Sequence, residues 1–172
     1  MNLHQHHATA KPEKRAGAAR ISKPFAVLSA VLTGLLAGGM VLIEAVLLPF
    51  WRGIPPADFR RWFTAHAHRI RAVMIPLGMG AGVASTVSTS AHLTGHGRSS
   101  GASATATAAT LGVIAITVAV SEPANHRFTA GELTDTETRD LLQKWARWHH
   151  VRVVLGLAAT VAATTAVLKR KS

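Results

Sequence analysis

The chain contains no cysteine and no tyrosine. The first absence excludes disulfides, thiolate nucleophiles and Cys-based zinc or iron–sulfur sites, and leaves His and carboxylates as the only strong metal ligands. The second excludes a tyrosyl radical or a tyrosine proton relay. Acid is scarce as well: 8 Asp and Glu stand against 19 Lys and Arg, a formal net charge of +11. Charge of either sign is missing from Pro24 to Ile43, from Ala72 to Gly97, from Ser99 to Ser121 and from Val153 to Leu168. One helical crossing of a bilayer needs about 20 mostly apolar residues, so these gaps predict an all-α integral membrane protein of four spans. The basic residues flank the apolar runs instead of forming a groove or a recognition helix, which speaks against a nucleic-acid partner and for contact with anionic lipid.

The spans are expected at about 24–50, 70–91, 103–121 and 150–168, within a membrane domain of residues 23–169. Residues 1–22, basic and without hydrophobic period, read as a disordered tail in which His4, His6 and His7 are solvated, and 170–172 as a short basic C-terminal tail. The apolar stretch from Phe25 to Phe50 far exceeds the hydrophobic region of a cleaved signal peptide, roughly 7–15 residues, and is read as a retained span. Its end at Pro49, Phe50 and Trp51 suits an interfacial anchor. The fourth uncharged run is too short to cross alone, so its helix must begin before Arg152. Gly34 and Gly38, then Gly78 and Gly82, offer small-residue faces for close helix approach. The longer connections carry amphipathic stretches, Phe59, Trp62 and Phe63 in one and Leu141, Leu142 and Trp145 in the other, the latter behind a capping box at Thr134 and Glu137. Both are expected to cap the bundle in the interface. The basic first tail places both termini in the cytoplasm.

An internal echo carries the functional reading. Trp62, His66 and Arg69 precede the second span, and Trp145, His149 and Arg152 the fourth: W-x-x-x-H-x-x-R twice. Positions i, i+4 and i+7 share one helix face. An acid, Glu44 and then Glu122, stands ahead of each copy, so the chain reads as two similar helical hairpins. Related by a pseudo-twofold axis, they would bring Glu44, His66, Glu122 and His149 together near one membrane face. Two carboxylates and two imidazoles suit a non-haem iron, copper, manganese or zinc ion, or acid–base work without metal on a phenolic or enolic substrate. A carboxylate within a span costs about 2.5–3.5 kcal/mol on insertion scales, which singles out Glu44. Arg152 is expected to turn inward and pair with Glu44 or Glu122. Histidines at helix ends, not deep within two facing spans, argue against bis-His haem. No phosphate-binding glycine loop or nucleophile elbow is present.

The segment Ala37 to Gly78, AGGMVLIEAVLLPFWRGIPPADFRRWFTAHAHRIRAVMIPLG, with Glu122, Pro123, Asn125 and the stretch LLQKWARWHHVR from Leu141 to Arg152, resembles the anthrone oxygenase-like family of small four-span membrane proteins. The resemblance implies oxygenation of an anthrone-type polyketide to a quinone. It carries Glu44, Asn125, Trp145, His149 and Arg152 as site residues, whereas His66 and Trp62 come from the repeat alone. The expected function is therefore an oxidoreductase taking an apolar aromatic or lipid-soluble substrate at a site made by Glu44, His66, Glu122, Asn125, His149 and Arg152, with Trp62 and Trp145 as pocket walls. The alternatives are a non-enzymatic bundle that binds lipid or a partner membrane protein, with homo-oligomerisation left open, and a small transporter, for which four spans offer no evident through-path.

Overall fold

The computed structural model describes residues 10–95 and 100–169, with side chains for 23–91 and 101–169. His4, His6 and His7 and the last three residues lie outside that range. Six α-helices and two π-helical turns account for the described chain: α1 (Ala10–Leu42), a π-turn (Ile43–Leu47), α2 (Leu48–Gly53), α3 (Pro56–Gly95), α4 (Ser100–Ile116), a second π-turn (Thr117–Ser121), α5 (Glu122–Thr129) and α6 (Asp135–Leu168). The π-turns join their flanking helices end to end. Four long helices result, each long and apolar enough to cross a membrane: Lys23–Gly53, Pro56–Ala91, Gly101–Thr129 and Asp135–Leu168. These are spans 1 to 4 below.

Each span packs on its neighbours in sequence, and span 4 closes the ring against span 1. The lipid-facing belt is visible as exposed aliphatic side chains, among them Val31, Val73, Val83, Leu111 and Val161. Several threonine hydroxyls on the spans are satisfied locally, whereas the buried Ser103 Oγ has no partner among the described residues. Thr86, Thr110, Thr117 and Thr160 each donate to the carbonyl four residues back, which is how a Thr-rich helix crosses hydrocarbon without stranded polar atoms. Ser29 and Ser85 bond between spans 1 and 2 at 2.8 Å, and Thr89 and Thr107 between spans 2 and 3 at 2.9 Å.

Several expectations change in detail. The amphipathic stretches of the connections are not separate caps but the first turns of α3 and α6, so the connections shrink to Ile54–Pro55 and Ala130–Thr134. Thr134 caps α6 with the reciprocal Glu137 bonds of a capping box. Residues 10–22, expected to be disordered, begin α1; their Ala, Lys, Arg and Glu content favours helix. The close approaches also fall elsewhere. A Cβ at Gly38 or Gly78 would meet nothing within 4 Å, and one at Gly34 only an ordinary contact with Thr160. Gly82 does sit tight against Ile114, and so does Gly39 against Met74. The tightest site is Gly156 of span 4, where a Cβ would collide with the Met40 side chain and touch Ala37 of span 1.

Both π-turns have one identifiable cause. Pro49 and Pro123 each stand two residues beyond a π-turn, and proline both lacks an N–H and clashes with the carbonyl four residues back. Opening one turn to i→i+5 bonding, Leu48 to Ile43 and Glu122 to Thr117, relieves that clash and lets the helix continue. With the two prolines matched, Glu122 falls opposite Leu48 and Glu44 opposite Val118. The repeat is therefore one of backbone geometry, and its two acids are not equivalent.

Candidate functional site

The two W-x-x-x-H-x-x-R elements adopt the same local geometry. Trp62 and His66 stack with centroids 4.8 Å apart and planes 17° apart, and Trp145 and His149 with 4.7 Å and 10°. Helical i,i+4 spacing alone produces this. Their surroundings then differ. His66 is half-buried and turns Nδ1 back to the Trp62 carbonyl of its own helix at 2.8 Å. His149 is fully buried, and its Nε2 donates across to the Met40 carbonyl of span 1 at 3.0 Å. A carbonyl can only accept, so that nitrogen carries the hydrogen and a neutral ring presents a lone pair at Nδ1. Nδ1 is buried and has no partner among the described residues.

His149 lines a cavity of about 390 Å³ enclosed by all four spans. Its walls are aliphatic, from Leu36 and Ile43 of span 1, Met74 and Gly78 of span 2, and Ile114 and Val118 of span 3. Ile75, Met79 and Val118 line it and are also exposed on the bundle surface. The cavity therefore opens sideways between spans 2 and 3, towards the position of lipid.

One end of the cavity is polar. Trp145 Nε1 donates to Asn125 Oδ1 at 3.1 Å, Asn125 Nδ2 donates to Glu122 Oε1 at 3.1 Å, and Glu122 Oε2 pairs with Arg71 Nη1 at 2.5 Å. Arg152 turns inward as expected and is only 7% exposed. Its partner is a correction: Nη1 donates to Ser121 Oγ at 2.8 Å, the residue before Glu122, because Arg71 already holds that carboxylate. Arg152 Nε is buried without a partner. Two guanidinium groups and one carboxylate thus share this end, leaving a net positive charge in low-dielectric surroundings, where an unpaired ion is costly.

Of the residues singled out in the sequence, Glu122, Asn125, Trp145, His149 and Arg152 line this one cavity. Glu44 stands behind His149, outside the lining. Its Oε1 is 3.4 Å from Nδ1 of the exposed His150, and its Oε2 is 3.8 Å from His149 Nε2, buried and without a hydrogen bond. His66 and Trp62 lie apart from it. Trp62 packs instead on Phe50 and Trp51 in the aromatic cluster at the connection end. The four-ligand centre of Glu44, His66, Glu122 and His149 is not assembled, and among the described residues no three His, Cys, Asp or Glu side chains form a group able to hold a metal ion. The inequivalent acids and the inward-folded His66 are the reason.

Three polar lining residues, Arg71, Thr117 and Ser121, went unread in the sequence. Arg71 stands in helical register with the liners Met74, Ile75 and Gly78, a pattern that distinguishes it from the exposed Arg69. Ser121 carried no signal beyond its place before Glu122.

Residues 59–162 match the family model described as anthrone oxygenase. The chain belongs to the anthrone oxygenase family. The matched region contains span 3 entire, span 2 but for its first three residues and most of span 4, and with them every polar residue of the cavity; Glu44 precedes it. No curated protein and no solved structure matches the chain.

Proposed function

We propose that this family member is an integral membrane oxygenase that draws an apolar, fused-ring phenolic or enolisable substrate from the bilayer into the cavity and converts an activated CH2 to a carbonyl. The observation that carries the reading is the pair of unpartnered buried nitrogens, His149 Nδ1 and Arg152 Nε, on two residues that line one cavity with mostly apolar walls and a polar end. Its volume falls in the range usual for small-molecule sites, roughly 300–1,000 Å³. A lone pair and a cation side by side ask for a ligand with an acidic hydrogen next to an oxygen that takes up negative charge.

The chemistry follows from those two groups. His149 Nδ1 removes a proton from the CH2, and the electron pair delocalises onto the ring oxygen, where Arg152 stabilises the enolate. Dioxygen, the oxidant, adds at the carbanionic carbon, and the resulting peroxide takes up the proton. Removal of the second C–H proton then breaks the O–O bond and expels hydroxide, which leaves as water. One CH2 and one O2 become one C=O and one H2O, a four-electron oxidation matched by four-electron reduction. Nε2–H stays bonded to the Met40 carbonyl throughout, which makes Nδ1 the nitrogen that takes up the proton and gives it back.

Glu122, Asn125 and Trp145 hold the polar end in shape, and Arg71 occupies the Glu122 carboxylate so that Arg152 stays free for substrate. Both termini are assigned to the cytoplasmic side, with the connections at the opposite face. The test is oxygen consumption by the full chain in nanodiscs supplied with an anthrone. One O2 should disappear per quinone formed, and His149→Gln should abolish this while retaining the melting temperature. Stoichiometric binding of the anthrone with no oxygen uptake would instead establish the non-enzymatic reading.

A further inference from the structure

A second cavity, of about 460 Å³, lies at the connection end of the bundle and is lined by Trp51, Arg52, Phe59, Arg139, Asp140 and Leu142 among others. It shares none of the residues of the membrane-embedded site. Trp51 is 2% exposed, yet its Nε1 has no acceptor among the described residues. The neighbouring Trp145 makes the contrast plain: the two rings meet edge to face at 5.7 Å, and Trp145 satisfies its own Nε1 with Asn125. A buried indole N–H is costly to leave without an acceptor, so a ligand that supplies one at this end of the bundle is favoured. Arg52 and Arg139 are exposed at the same cavity, and among the described residues neither forms an ion pair, nor does Asp140.

The cavity sits where span 1 ends at its Pro49–Trp51 anchor, the depth of lipid headgroups. Two unpaired guanidinium groups and an N–H donor suit the oxygens of a phosphate, with Arg supplying paired donors to it. Asp140 asks in turn for a donor one group further out. Phe59 and Leu142 give the cavity an apolar flank of the kind that glycerol and the first acyl carbons would cover.

We propose that this cavity binds the headgroup of a membrane phospholipid in which a hydrogen-bond donor follows the phosphate, as in phosphatidylglycerol or phosphatidylethanolamine. Phosphatidylcholine, whose quaternary ammonium has no N–H, leaves Asp140 unmatched. The site is independent of the proposed oxygenase activity.

The test places the full chain in nanodiscs of phosphatidylcholine doped with phosphatidylglycerol or phosphatidylethanolamine, and counts the lipids retained by native mass spectrometry after the disc is stripped. Retention of the two donor lipids over phosphatidylcholine by about tenfold is expected, the discrimination that 1.4 kcal/mol supplies. Arg52→Gln with Arg139→Gln should remove the preference at unchanged melting temperature, since both side chains are at the surface. Trp51→Phe, which keeps a ring in the aromatic cluster, should weaken it. Equal retention of phosphatidylcholine, or an undiminished preference in the double variant, overturns the proposal. So does displacement of the lipid by millimolar inorganic phosphate, which would assign the cavity to a soluble anion.

Discussion

His149 Nε2 donates to the backbone carbonyl of Met40, 3.0 Å away on a different span. A side chain on span 4 is thereby fixed against the main chain of span 1, its tautomer is set, and the ring lines the cavity with one nitrogen left unbonded. Replacing His149 by Gln should lower turnover by about 10²–10⁴-fold, the usual contribution of a positioned base. His149→Ala should lose as much activity and in addition lower the melting temperature, because a buried void replaces the ring. Steady-state oxygen uptake and thermal unfolding in the same nanodiscs separate the two effects.

Gly156 makes that bond reachable. A side chain there runs into Met40 and Ala37, so Gly156→Val should push spans 1 and 4 apart and destabilise by about 1–3 kcal/mol, the range for overpacking. Gly156→Ala should be milder, since the end of the Met40 side chain can move. Wild-type melting behaviour in Gly156→Val would show that the close approach is unimportant.

Arg152→Lys should lower turnover by about 10²-fold, the effect of losing one donor to a developing oxyanion. An ammonium can keep the bond to Ser121 or reach the substrate oxygen, but it lacks the guanidinium's second, separately directed N–H. Ser121→Ala, which leaves the guanidinium in place, should change activity little and cost about 1 kcal/mol of stability. Equal damage from both variants would mean that Arg152 acts only as a structural tie.

Glu44 lies 3.8 Å from the nitrogen of His149 that carries the hydrogen. A negative charge there steadies the ring when Nδ1 takes a proton, so Glu44→Gln should reduce kcat by about tenfold and leave KM unchanged, the signature of an interaction made in the transition state. Glu44→Asp should recover part of the loss. A rise in KM at constant kcat would place Glu44 in substrate binding instead.

Much of the fold was legible because it depends on one-dimensional properties. Three uncharged runs of span length and a fourth slightly shorter one point to four helical crossings, for within a single segment only a helix satisfies its own backbone hydrogen bonds in hydrocarbon. The Thr134 and Glu137 box and the Trp–His stacks are equally local, since each joins residues three or four apart on one helix. The π-turns were legible in principle through Pro49 and Pro123. They shift register within the spans, and so upset the matching of Glu44 with Glu122.

The site was legible only in part, and Trp62–His66 against Trp145–His149 shows why. The same eight-residue pattern builds the same stacked pair, but one pair faces the aromatic end cluster and the other the cavity. Which way each turns depends on what packs beside it: Gly156 against Met40 brings span 4 close to span 1, and Arg71 takes Glu122 from across span 2. The sequence by itself determined the helices, their number and the local pairing of Trp with His, because those follow from composition and from spacing along a single helix. Only the tertiary structure decided that His149 and not His66 lines the cavity, that Arg152 bonds Ser121, and that no four-ligand centre forms, because the rotation and separation of packed helices depend on contacts between residues far apart in the chain.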